Sequence, residues 1–494
     1  MAVSLCLIAV VGLLTLLVIR GLVYFWPRDV MAATVSYQGQ QYKLLGEVVD
    51  SVDVSAQQLR EAGVSLPADN PVFKRELIRQ GNREFFNSDF VWVLPAQMSA
   101  LDYPEWAVTI ERKAWGRLYG ELLSVSLDGE YKERVDNAED IWLDFEEAHL
   151  KIRHLQRQLA SADTVDSAPE GNAPVAMQQQ VERARYRLRL IDGRIVNLPL
   201  SEVVRAYRPN QMSSLDKSHI YLDRLWEFLS SGPREGNTEG GIFPALLGTS
   251  LMVILMAVLM MPFGVLAAVY LNEYAHQGLL IRIIRIAVNN LAGVPSIIYG
   301  VFGLGFFVYG VGGELDQLFF ADALPGPTFG TPGLLWASLT LALLTLPVVI
   351  VATEEGLARV PSSIREGSLA LGATRAETLW QLVLPMASPA MMTGLILAIA
   401  RAAGEVAPLM LVGVVKLAPA LPVDGKFPFL HLDQKFMHLG YHIYDVGFQS
   451  ANAEAAGPLV YATALLLVLL IVCLNLLAVM LRNHLRERYR ALVS

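Results

Sequence analysis

Six runs of apolar residues constrain this chain more than any other feature. They cover Ala2–Ile19, continuing past Arg20 to Pro27, then Leu246–Leu271, Ile286–Val311, Leu334–Ala352, Ala390–Val415 and Leu459–Leu481. A hydrocarbon core of about 30 Å takes roughly 20 apolar residues in a helix, and a helix satisfies its own backbone hydrogen bonds there. With 53 % hydrophobic residues over 494 positions, the chain is a membrane protein with room for a further domain. No basic residues precede the first run, which favours a retained helix over a cleaved signal peptide and is also compatible with a start further upstream. Tyr24 and Trp26 suit the interface at its end. Cys6 and Cys473 both lie in apolar runs, so packing residues are expected rather than a disulfide or a zinc site.

Between the first two runs the character changes. Residues 28–241 hold 25 Lys and Arg against 33 Asp and Glu, which accounts for the whole net charge of −8. Alternating apolar and polar residues predict strands over Ala33–Val54 around Gln38-Gly39, over Asp89–Leu94 and over Trp106–Ile110. A heptad-like series follows at Ile141, Phe145, Ala148, Ile152, Leu155 and Leu159, and a second at Met177, Val181, Ala184, Leu188 and Ile191. Two such seams predict an antiparallel helical hairpin over 139–191, or two helices packed on the strands of the same domain, with the second helix yielding to a strand at Tyr186–Ile191. Asp192-Gly193 reads as a two-residue hairpin turn. His149 and His154 are not on one helical face and read as solvated residues. The acidic surface repels a divalent anion, which argues against substrate capture by this region.

Basic residues in the short connections set the orientation. Arg282, Arg285, Arg359, Arg365, Arg375 and the arginines after Leu481 mark one side as cytoplasmic, while Gly312–Pro332 has no Lys or Arg. Both termini are therefore expected in the cytoplasm and the acidic insertion on the other face. Glu354–Pro385 is a polar interval on the cytoplasmic side with two capping-box spacings, Ser363 to Glu366 and Thr374 to Glu377. Gly372 between them suits a left-handed helix end, and Pro385 marks the handover to the next element. A helix-turn-helix knob is predicted. Gly367 weakens its first helix by up to about 1 kcal/mol.

Within the knob, Glu366-Gly367-Ser368, Gly372 and Leu382-Val383-Leu384-Pro385 resemble the E-A-A, G and I-x-L-P elements of ABC-importer permeases, with Gly367 and Ser368 where alanines are usual. That resemblance implies a coupling surface for a cytoplasmic ATPase over 354–386, carried by Ser363, Arg365, Glu366, Gly367, Ser368, Gly372, Ala373, Leu384 and Pro385.

Arg401 and Glu405, in Ala400-Arg-Ala-Ala-Gly-Glu-Val-Ala-Pro408, are the one ionisable pair deep in a run as delimited above. Spacing i,i+4 lets them pair on one helical face. An arginine at mid-bilayer costs about 3 kcal/mol and so faces protein or water. Two readings stay open: an ion pair locking the helix to a neighbour, or a guanidinium matched to a tetrahedral oxyanion with the glutamate keeping that anion from being trapped. No other carboxylate or histidine lies deep in these runs to serve a proton relay.

This stretch and Asn289-Asn290-Leu-Ala-Gly-Val-Pro-Ser-Ile-Ile-Tyr299-Gly300 are similar to PstA-type permeases of phosphate-specific ABC importers. The likeness covers the chain from about Glu239 onward and the first helix, and the acidic insertion departs from compact members. It implies an all-α polytopic membrane protein of about six transmembrane helices with a large α+β extracytoplasmic insertion between helices 1 and 2: a first helix at 1–27, the insertion at 28–241 and a permease core at 242–494. It also implies phosphate as substrate, Arg401 and Glu405 on its pathway, and as partners an ABC ATPase dimer, a second PstC-like permease, a periplasmic phosphate-binding protein and membrane lipid, with no nucleic acid. The chain has no G-x-x-x-x-G-K-[ST] phosphate loop, so no cofactor is expected in it, and ATP and Mg belong to the partner ATPase. Permeases for sulfate, molybdate or tungstate, and a membrane-anchored periplasmic sensor or assembly protein, are the alternatives.

Overall fold

A computed structural model describes residues 1–494 except 38–39, 62–70, 130, 132–136, 165–172, 451–455 and 491–494. The chain forms two compact units, one of Met1–Tyr24, Phe228–Pro233 and Gly241–Ser494, the other of Phe25–Glu227 and Arg234–Gly240.

In the first unit, six helices among the described residues are long and apolar enough to cross a membrane: Ala2–Val23, Phe243–Tyr274, Ser296–Phe319, Leu334–Ala358, Arg375–Gly404 and Gly457–His484. The fourth is central, packed on the second and fifth, while the sixth joins the fifth to the first. Its contacts are made close by glycines. A Cβ on Gly264 would stand 2.7 Å from Val349, one on Gly394 2.7 Å from Ala352, and one on Gly356 2.6 Å from Ala390. Such approach is what holds helices together in lipid, where apolar burial between them brings little gain. Met252, Met256, Leu341, Leu344 and Ala398 form the core around the fourth span. Cys6 and Cys473 are exposed on the outside of the bundle rather than packed, because an outer face in lipid is as apolar as an inner one.

Two spans differ from the apolar runs. The third does not begin at Ile286, which lies inside a separate helix, Leu279–Leu291; a new helix starts at Ser296. Gly293 and Pro295 explain the break, since the residue before a proline is driven out of the helical region. The fifth span starts at Arg375 and ends at Gly404. Pro385 is thus no boundary. It lies inside one helix, directly after a π-helical turn over Leu379–Val383 that adjusts the ladder where the proline N–H is missing.

The second unit holds two antiparallel five-stranded sheets. Strands β1 (Val30–Tyr37), β2 (Gln40–Ser55), β3 (Val72–Arg79), β4 (Phe90–Val93) and β5 (Met98–Asp102) are ordered β4-β3-β2-β1-β5. Strands β6 (Ala107–Arg112), β7 (Arg117–Ser126), β8 (Arg185–Arg189), β9 (Ile195–Pro199) and β10 (Val203–Tyr207) are ordered β10-β6-β7-β8-β9. The Gln38-Gly39 turn lies outside the described residues. The heptad seam on helix Ala138–Thr164 packs through Phe145, Ala148 and Ile152, with Trp142 outside the series buried beside them, onto Ile110, Leu118 and Tyr186 of the second sheet.

The other arm of the expected hairpin is short, Ala173–Arg183, and gives way to β8. In Arg185-Tyr186-Arg187-Leu188-Arg189 the period is two, with Tyr186 and Leu188 fully buried and the arginines out. The turn after it has three residues, not two. Leu190 N–H donates to Arg194 O at 2.8 Å across Ile191-Asp192-Gly193, with Gly193 at φ +88°. His149 is buried, stacked on Phe145 at 6.2 Å, and not solvated. Burial first, and Arg153 next, lower its pKa to about 4.

Glu111 on β6 is the ionic centre of this unit. Arg205 Nη1 donates to it at 2.8 Å and Arg224 Nε at 3.0 Å, while Arg117 bridges Glu111 at 3.7 Å and Glu47 at 2.8 Å. Burial by itself would raise the Glu111 carboxyl, but Arg224, Arg117 and Arg205 outweigh it and hold it far below the usual carboxylate range.

Candidate functional site

Arg401 occupies the last turn of the fifth span. Glu405 is no longer helical there: at φ −78° and ψ 132° it is the residue that ends the helix. Arg401 Nε lies 3.5 Å from Glu405 Oε1, with the two side chains 33 % and 21 % exposed. At that length the pair is a loose ion contact rather than a tight hydrogen bond. Among the described residues it is Arg401's one ionic partner, so the two Nη groups are left open to another acceptor.

The chain after Glu405 is held by a neighbour the sequence did not single out for that role. A Cβ on Gly300 would stand 2.7 Å from Pro408 Cα, so only glycine lets the third span approach the Glu405–Pro408 segment. Tyr299, 4 % exposed, donates its hydroxyl to Leu291 O at 2.6 Å, fastening the end of helix Leu279–Leu291. Two motifs about 100 residues apart in sequence therefore meet at one place. Their residues were legible, but their contact was not, because spacing along a chain carries no information about which spans touch.

The knob is built from helix Ser362–Ala370 and the start of the fifth span. Ser363 does not cap it. Pro361, with ψ 139°, stands at the cap position, so Ser362 is the first helical residue and Ser363 an exposed second one. A proline suits that place because its missing N–H costs nothing ahead of a helix. At the other end Gly372 N–H donates to Leu369 O at 3.0 Å and Ala373 N–H to Ser368 O at 3.2 Å, a Schellman closure with Gly372 at φ +92°. Thr374 and Glu377 form both halves of a capping box: Thr374 N–H donates to Glu377 Oε2 at 2.8 Å and Glu377 N–H to Thr374 Oγ1 at 3.3 Å.

Arg365 roots the knob, reaching Glu273 at 2.9 Å and Leu357 O at 2.7 Å, and Ser368 and Thr378 share a hydroxyl bond of 2.8 Å. Leu384 is buried with Leu379 and Val383 beneath, while Pro385 is partly covered. What faces out is Ser363, Glu366, Gly367 and Leu371, the last 91 % exposed. Glu273 was missed because it closes an apolar run. Asp316 was missed likewise: the third span extends past Val311 to Phe319, and this carboxylate, 1 % exposed, accepts from Phe329 N–H at 2.8 Å and Gly330 N–H at 2.7 Å. Asp316 is thus a buried ionisable residue besides the half-buried Arg401–Glu405 pair, and it is committed to a loop.

The sequence profile of the family described as binding-protein-dependent transport system inner membrane component matches residues 260–490. The phosphate transport system permease protein PstA 1 of Mycobacterium tuberculosis is 37 % identical over 266 residues, covering 54 % of this chain and 77 % of that one. A probable phosphate transport system permease protein PstA of Methanocaldococcus jannaschii is 32 % identical over 197 residues, covering 39 % and 63 %. Among solved structures, the inward-facing MetNI methionine ABC transporter aligns with a TM-score of 0.35 and 19 % identity over 56 % of this chain and 99 % of that one, too loose a superposition to define the fold.

Proposed function

This chain belongs to the PstA-type permeases of ABC importers, and on that footing we propose that it forms part of the route of inorganic phosphate across the cytoplasmic membrane. The observation that carries the reading is the open guanidinium of Arg401, paired at 3.5 Å among the described residues to Glu405 alone. Its planar fork matches two oxygens of a tetrahedral oxyanion. Glu405 competes for the same cation, so an arriving anion displaces the carboxylate and is in turn displaced by it. Binding stays weak enough for release. Gly300 sets how closely the third span meets the Glu405–Pro408 segment.

In this reading the chain does no bond chemistry. ATP and Mg are held by a separate ATPase dimer, whose closure moves the knob through Ser363, Glu366, Gly367 and Leu371, and Arg365 transmits that movement to the second span through Glu273. Two ATPase subunits need two knobs, hence a second PstC-like permease. A periplasmic phosphate-binding protein delivers the anion on the face opposite the knob.

The test is uptake of radiolabelled phosphate by cells lacking their own high-affinity importer and expressing this chain with those partners. Arg401→Gln is expected to lower uptake by about tenfold or more, the equivalent of losing roughly 1.4 kcal/mol of anion stabilisation. Glu366→Lys is expected to leave ATP hydrolysis by the assembled complex but no uptake. Undiminished uptake by Arg401→Gln overturns the site. Inhibition by sulfate, molybdate or tungstate at equimolar concentration keeps the machine and changes the cargo.

A further inference from the structure

Where the knob meets the end of the second span lies a cavity of about 290 Å³. Glu273 and Tyr274 line it from that span, Arg365 and Leu369 from helix Ser362–Ala370, and Arg375 and Thr378 from the start of the fifth span. Two guanidinium groups therefore share its wall with one carboxylate. Glu366 faces out, and Glu377 is committed to the capping box of Thr374.

Both arginines have binding capacity left. Arg365 engages Glu273 at 2.9 Å and Leu357 O at 2.7 Å through the same nitrogen, Nη2. Its Nε is enclosed and donates to nothing among the described residues, so the hydrogen bonding of this guanidinium is incomplete. Arg375 is exposed and makes no ion pair among the described residues. Like charges lining one cavity repel, and an anion between them removes the repulsion.

We propose that this cavity binds a phosphate group between the forks of Arg365 and Arg375, and that its occupant competes with Glu273 for Arg365. A phosphate group presents three acceptor oxygens, enough to serve both forks, whereas a carboxylate serves one. Inorganic phosphate and the headgroup of an anionic lipid offer this same chemistry at a membrane surface. Arg375 opens the span that Arg401 closes, so the site is distinct from the Arg401–Glu405 pair. Because Arg365 ties the knob helix to the second span through Glu273, an anion that draws the guanidinium away loosens the knob at its root. That consequence rests on the coupling role proposed for the knob; the binding site does not.

The experiment places the full chain in nanodiscs of neutral lipid and follows broadening of the phosphorus NMR resonance of added inorganic phosphate. Arg401→Gln is the background, so that the pathway pair does not contribute. Broadening is expected to persist there. Arg375→Gln weakens binding about tenfold or more with an unchanged melting midpoint, since its side chain is exposed. Glu273→Gln strengthens binding, because it removes the competing carboxylate, whereas simple damage to the knob weakens it. In a second arm phosphatidic acid is mixed into the lipid. Its retention by the chain on extraction into detergent, lost in Arg375→Gln, identifies the phosphate group as a headgroup; broadening without retention identifies it as the free anion. Absence of both overturns the proposal, as does binding indifferent to Arg375→Gln, weakened by Glu273→Gln, or abolished by chloride at equal ionic strength. Binding lost in Arg401→Gln alone overturns it too, while leaving the reading of Arg401 standing.

Discussion

Glu111 is a carboxylate with almost no contact with water, and it is tolerable only because Arg224, Arg205 and Arg117 surround it. Replacing it by Gln leaves buried guanidinium groups without their counter-charge, at a cost of about 3–5 kcal/mol. The expected outcome is loss of amide-exchange protection in β6 and β10. The pH dependence has a definite sign. The folded carboxyl lies below its ordinary value near 4.5, so its stabilisation is present above that pH and fades as pH falls below it. His149 acts in an earlier window: lowered from 6.5 to about 4, it stabilises above pH 6.5 and progressively less toward pH 4. His149→Leu is expected to flatten the stability profile between those two values while Glu111→Gln flattens it below, both read by amide exchange. Glu239, raised by burial, works against Glu111, since its contribution is lost as pH rises. Arg401 and Glu405 were legible because a charge in an apolar run stands out. Glu111 was not, since it sits in a domain full of charge and its partners come from β7, β10 and helix Ser214–Ser230.

The knob was readable wherever local chemistry decided it. Thr374, Glu377 and Gly372 do what their residue types do at a helix start and a left-handed end. Ser363 had the same spacing and lost the cap to Pro361, because two residues competed for one position and the proline's backbone settled it. Thr374→Ala is expected to weaken the start of the fifth span by roughly 1 kcal/mol, seen as faster amide exchange at Ala376 and Glu377. Between elements the decisive residue is Gly394. A valine there meets Ala352 well inside contact distance and forces the fourth and fifth spans apart, at about 1–3 kcal/mol, measured as a lowered midpoint in detergent melting. Gly367→Ala, with nothing within 4 Å of its Cβ, is the control that should melt no lower.

At the scale of the whole molecule, the arginines beside the knob and the three spans between it and residues 28–241 predict opposite faces for the two. With Cys6 and Cys473 replaced by Ala, a cysteine at Ser99 is expected to react with an impermeant maleimide in intact spheroplasts, and one at Leu371 only after permeabilisation; the reverse pattern overturns the orientation. The sequence by itself determined that there are six apolar spans, that a charged stretch with strands and helices separates the first from the rest, and where the helix-turn-helix and the Arg401–Glu405 spacing fall in the chain, because each follows from hydrophobicity, charge and short-range turn chemistry. Only the tertiary structure decided that the third apolar run holds two helices, that the heptad seam serves a sheet, and that Gly300 meets Pro408. Those are matters of which surfaces touch, and their energy comes from close packing between residues far apart in the chain, for which no local pattern substitutes.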